Sequence, residues 1–122
     1  MKNITSVVFV ALCLISISAL AAPTYLVCQI STTTNNVSVT LNEATGKVTH
    51  TYIANGSGFT SDGQFNANTI IYQKKIPNLG QTERFTIDRG TLAIKHEIFM
   101  HGDAVTDGSG QCEIVKPGKN KI

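Results

Sequence analysis

The chain has 122 residues, 42% hydrophobic and 15% charged, with a formal net charge of +2. That length fits one domain able to bury a core. So small a net charge supplies no long-range field for steering to nucleic acid or an anionic membrane.

The first segment reads as an address. Lys2 supplies a short positive start, Val7 to Ile17 is almost unbroken apolar sequence, and Ala19-Leu20-Ala21 places small residues where a signal peptidase reads. Residues 1–21 are therefore expected to be a secretory signal peptide cleaved after Ala21, with Ala22 as the alternative. A retained transmembrane anchor needs roughly 20 apolar residues, more than this run supplies. The leader resembles those of bacteria, which implies a periplasmic or secreted protein with no stable membrane insertion after cleavage. Cys13 leaves with the leader. Cys28 and Cys112 remain, one near each end of a 22–116 domain, and an exported domain with two cysteines is expected to bridge them. No C-x-x-C or Cys/His cluster accompanies either, so neither a zinc site nor a redox pair is read there.

The mature sequence shows no convincing helix. Short β-prone runs alternate with turn residues at intervals of about ten. Thr24 to Ser31 is expected as the first strand, with Leu26, Cys28 and Ile30 on one face, and Val37, Val39 and Leu41 mark the second. Thr45-Gly46 turns into a third strand, Lys47 to Ala54, where Val48, His50 and Tyr52 share a side. After Asn55-Gly56-Ser57-Gly58, the fourth carries Phe59, Ser61, Gly63 and Phe65, its internal glycine predicting a bulge or bend. Thr69 to Lys75 is the fifth, closed by Pro77-Asn78-Leu79-Gly80. The sixth, Thr82 to Asp88, has Phe85 and Ile87 inward and meets the seventh through Arg89-Gly90, with Gly90 suited to positive φ. The seventh buries Leu92, Ile94, His96 and Ile98. Phe99 to Gly110 is expected as the longest loop, and Ser109 to Lys116 as the eighth strand with Cys112 and Ile114 inward. Residues 117–122, with Lys119 and Lys121, read as a flexible basic tail.

Eight sequential strands with short connections predict an all-β antiparallel meander. A bridge from first strand to last points to a small closed or nearly closed barrel, with a two-sheet sandwich as the alternative.

Chemistry is sparse. No G-x-S-x-G elbow is present, and His96 and Glu97 are expected on opposite faces, so no catalytic residue is assigned. His101, Asp103 and Asp107 share the predicted long loop with Phe99, but their spacing lacks the pattern of a calcium loop. No metal or other cofactor is implied, and these four residues stand as a possible binding loop. Glu83 and Glu97 read as exposed. Arg84, Arg89, Lys74 and Lys75 read as a modest surface patch without the interleaved aromatics that stack bases, so no nucleic-acid role is expected.

Phe85-Thr86-Ile87-Asp88-Arg89-Gly90-Thr91-Leu92 is similar to an I-D-R-x-T-L hairpin of short exported proteins of Gram-negative bacteria, and Gly110-Gln111-Cys112 resembles their terminal cysteine motif. That group brings no activity with it. The layout also resembles the small periplasmic lysozyme inhibitors in size, strand number and bridge. Together these readings predict a non-catalytic binding or inhibitor module, expected as a monomer, acting through its loops on a protein or envelope component. A carrier of a small apolar ligand inside the barrel is the alternative.

Overall fold

The structure, a computed structural model, describes residues 22–32 and 36–116. The expected signal peptide at 1–21 and basic tail at 117–122 lie outside the described residues. Eight strands follow in chain order: β1 (Thr24–Ile30), β2 (Val37–Asn42), β3 (Lys47–Tyr52), β4 (Gly58–Phe65), β5 (Thr69–Ile76), β6 (Gln81–Asp88), β7 (Ala93–Met100) and β8 (Asp103–Val115). Each pairs antiparallel with its sequence neighbours and β8 returns to β1, so the sheet closes as an up-and-down barrel rather than a sandwich.

Period-two alternation decides which side chains enter. Leu26, Cys28 and Ile30 of β1, Val37, Val39 and Leu41 of β2, and Val48 of β3 are buried. Ile70, Phe85, Ile87 and Ile94 from β5, β6 and β7 complete the apolar filling. Ser38, Thr40, Thr49, Gln73, Thr86, Lys95 and Gln111 occupy the alternate, outward positions and are half-buried or exposed. Cys28 and Cys112 lie directly opposite each other in the β1–β8 ladder and form a disulfide spanning 84 residues of sequence. The bond joins the two strands that close the barrel.

Three expectations change. The stretch Phe99 to Gly110 is not a loop. β7 runs on to Met100, His101 and Gly102 make a two-residue turn with φ of 52° and 90°, and β8 begins at Asp103. Positive φ at both turn positions matches the twist of a tight hairpin. Ile98 pairs with Thr106 and Phe99 with Ala104, so Val105 is the extra residue of a bulge. Gly108 and Gly110, which read as loop composition, sit inside the ladder because β1 passes too close for a side chain. A Cβ on Gly110 would strike the Gln29 carbonyl, and one on Gly108 the Thr32 side chain.

Ile114 keeps the inward parity, opposite Leu26, but is not buried, being 64% exposed. The last β7–β8 pair is Ala93 with Gln111, so residues beyond Cys112 follow β1 alone, past the end of the barrel wall. In the β6–β7 hairpin the positive φ belongs to Leu92 (65°), not Gly90. The Asp88 carboxylate accepts the Gly90 and Thr91 amides at 2.8 and 2.9 Å, which fixes that turn and lowers the carboxyl pKa below its usual value.

Loss of the bridge frees a long loop in the unfolded chain. In the chain-entropy account this costs about 4–5 kcal/mol. Replacing Cys28 and Cys112 together with alanine is expected to lower the unfolding free energy by that amount, read by urea denaturation of the two proteins under identical conditions.

Candidate functional site

The two ends of the barrel differ. The end holding the Asp88 turn is filled with aliphatic side chains and the ring of Phe65. The other, where β3, β5 and β7 finish, carries a polar and aromatic group inside the wall. Its members are His50 and Tyr52 from β3, Phe59 from β4, Tyr72 and Lys74 from β5, Glu83 and Phe85 from β6, and His96 from β7.

Two buried histidines organise it. The Phe85 ring stacks parallel on His96, centroids 4.4 Å apart, and lies 4.5 Å from His50. Tyr72 stacks on Phe85 and Phe59 on His50. His96 Nε2 lies 2.9 Å from Glu83 Oε1 and its Nδ1 lies 2.6 Å from the Thr32 hydroxyl. The carboxylate holds a proton on Nε2, so in the neutral ring Nδ1 accepts the threonine O–H. Gln81 donates to the other Glu83 oxygen at 3.2 Å. Chiefly the His96 hydrogen bond holds the Glu83 carboxyl below its usual pKa, against a cost of burial.

Glu83 is thus not exposed. It shares a face with Phe85 and Ile87, and the alternation that turned those residues inward was the available signal. Glu97 does face away from His96, next to Lys95 at 3.6 Å.

His50 is fully buried. Its Nδ1 is 2.8 Å from the Tyr72 hydroxyl, while Nε2 has no partner among the described residues. Burial first, then the nearby His96, lowers its pKa from 6.5 to about 4, so the ring is neutral near pH 7. Burial likewise raises the Tyr72 phenol well above 10.

The hydroxyl, imidazole and carboxylate of Thr32, His96 and Glu83 stand in the order of a nucleophilic triad. Two of the amides beside it, however, are already engaged. Ser31 N–H donates to the Ser109 carbonyl at 2.9 Å, and Ser109 N–H to the Ser31 hydroxyl at 3.1 Å. Neither is left to stabilise an oxyanion. With Thr32 seated against Gly108, the chain of bonds acts as a clamp from the end of β1 to β6 and β7.

Beside this group the wall opens. The β4–β5 ladder ends at Gly63 with Tyr72, after which β4 follows β3 and β5 follows β6. Between them lies a cleft of about 650 Å³, lined among others by Phe59, Thr60, Tyr72, Gln73, Lys74 and Lys75. Lys74 lies inside the wall, its ammonium 5.5 Å from the Phe59 ring centre and 5.8 Å from that of Tyr52. Neither Lys74 nor Lys75 is within ion-pair distance of a carboxylate among the described residues. The expected basic patch therefore does not assemble. Lys74 turns inward, Arg89 pairs with Glu43 at 2.8 Å, and Arg84 lies over Phe99.

The four predicted loop residues all lie on the β7–β8 hairpin. Phe99 is on β7 under Arg84, Asp103 begins β8, and Asp107 pairs with Glu97 within the ladder. His101 donates its amide to Gly80 at 2.8 Å, with its ring against that residue. No three His, Cys, Asp or Glu side chains gather as metal ligands among the described residues. The chain matches no protein-family model, no curated protein and no solved structure.

Two consequences are measurable. A histidine whose folded pKa is depressed binds its proton more readily when unfolded. His50 therefore adds stability in full above pH 6.5 and loses it progressively as pH falls toward about 4, a loss of about 3 kcal/mol. Glu83, its carboxyl pKa lowered in the folded state, contributes in full above its ordinary value of 4.5 and loses that contribution as pH falls below it. Urea unfolding between pH 7 and 4 is expected to show this slope in the native protein and a flatter one in His50→Phe.

Glu83→Ala leaves the buried His96 ring nitrogen without its acceptor and is expected to cost about 2–3 kcal/mol. Thr32→Val, at an exposed turn, is expected to cost less than about 1 kcal/mol. Equal losses in a denaturation series would show the clamp to be a single unit.

Proposed function

We propose that this is an exported, non-catalytic binding module, and that it binds at the cleft between β4 and β5. The observation that carries the reading is the opened wall itself. In an otherwise continuous barrel the ladder stops after three β4–β5 pairs, leaving a cleft beside the Lys74 ammonium and two half-buried aromatic rings. Concave sites with an apolar lining and a few convergent polar groups are where ligands bind.

The disulfide supports a reading of export to an oxidising compartment, periplasmic or secreted. The outward positions carry Thr, Ser, Gln, Lys and Glu, the reverse of the apolar band of a membrane barrel, which supports a water-facing protein. Carriage of an apolar ligand finds less support, since buried side chains of the protein occupy the interior around the disulfide.

A photo-crosslinking residue placed at Gln73, in the cleft, is expected to give a discrete adduct on irradiation of intact cells exporting the protein. The same residue at Lys95, on the outer surface of β7, is expected to give none. Absence of any adduct at Gln73, or equal adducts at both positions, would remove the cleft as the binding site.

A further inference from the structure

We infer that the cleft takes an extended peptide segment carrying an acidic side chain, bound by strand pairing to the open edges of β4 and β5. The inference rests on the binding-module reading and names its ligand class.

Hydrogen-bond phase fixes which backbone groups face the opening. Gly63 N–H donates to the Gly46 carbonyl and Tyr52 N–H to that of Ser57. Residues 46/63 and 52/57 are thus bonded pairs, and by alternation so are 48/61 and 50/59. Thr60, between them, turns its amide and carbonyl away from β3. On the other wall Arg89 N–H donates to the Asn68 carbonyl, which places 72/85, 74/83 and 76/81 in the bonded phase between β5 and β6. Lys75 therefore turns its backbone groups away from β6.

Thr60 and Lys75 both lie beyond the last β4–β5 pair, Gly63 with Tyr72, so neither finds a strand partner across the gap. Two facing lengths of free edge are the complement of one extended backbone.

Side-chain chemistry sets the preference. A strand in the gap alternates its side chains between the barrel mouth and solvent. An inward side chain there meets Lys74, held over Phe59 and Tyr52 and opposite Glu83, whose carboxylate is taken up by His96 and Gln81, while an outward one passes Lys75. Asp62, the acidic residue on this stretch of β4, is already paired with Lys47. The excess charge facing the cleft is positive, so an aspartate or glutamate at an inward position is favoured. An apolar neighbour would rest on Phe59.

The test uses the oxidised protein and a random octapeptide library displayed on phage. Panning is expected to enrich peptides with one acidic position flanked by β-branched or aromatic residues. The best peptide, made synthetically, is expected to lose about tenfold or more in affinity when its central amide is N-methylated. A comparable loss is expected against Lys74→Met, and against Thr60→Pro, which removes an amide that the β3 ladder does not use. Thermal melts of both variants separate lost binding from lost folding.

If peptides bind and respond to Lys74→Met but not to N-methylation or Thr60→Pro, strand pairing is overturned while the cleft remains a binding site. If no peptide is enriched although Gln73 crosslinks in cells, the ligand class is wrong and the module reading stands. Enriched peptides indifferent to every change bind elsewhere and overturn the inference.

Discussion

Closure of β8 onto β1 is the constraint on which the rest of the structure depends. An open eight-stranded meander would leave two long edges with unpaired amides and carbonyls, and its inward residues would face water on one side. Closure satisfies both edges at once and turns one face of every strand into an interior. The Cys28–Cys112 bridge sits on that seam, between directly opposed residues. It ties the most distant parts of the described sequence and so restricts the unfolded chain where loop-closure entropy is large.

Once the barrel is closed, its two ends solve different problems. The end near the Asp88 turn buries Val39, Leu41, Val48, Ile70, Ile87 and Ile94, which need only shape and volume. The other admits two imidazoles, a phenol and a carboxylate, each of which costs free energy if left unpaired. Most of the cost is met within the group: Glu83 takes the His96 proton, Thr32 the other ring nitrogen, and Tyr72 one side of His50. The Nε2 atom of His50 has no partner among the described residues. The stacked rings of His96, Phe85 and Tyr72 hold this polar network in a fixed arrangement beside the only part of the β4–β5 wall where hydrogen bonding stops.

That juxtaposition gives the cleft its character. Lys74 reaches inside the wall from β5 to the rings of Tyr52 and Phe59, so the gap has a cationic and aromatic floor. Its sides are backbone edges. Such a surface offers pairing to a main chain and charge to a side chain, a combination that small apolar ligands use poorly. Phe99 to Gly110 is drawn into the β7–β8 hairpin, and its polar side chains are spread along a ladder.

The sequence by itself determined the strand count, the meander, the inward residues of most strands, the place of the β6–β7 turn and the cysteine pairing. These are local or parity properties: period-two alternation, turn chemistry and two cysteines with no third among the described residues. Parity also places Glu83 inward beside Phe85, against the general exposure of carboxylates. Tertiary structure alone decided that Gly108 and Gly110 are points of close approach to β1 rather than loop residues, and that Ile114 lies beyond the wall. It alone brought Thr32, Glu83 and His96 together from three parts of the chain and parted β4 from β5. Strand divergence leaves no local mark, because the residues of an open edge and a paired one alternate alike. What differs is the presence of a neighbour across the gap, and only the closed barrel supplies or withholds it.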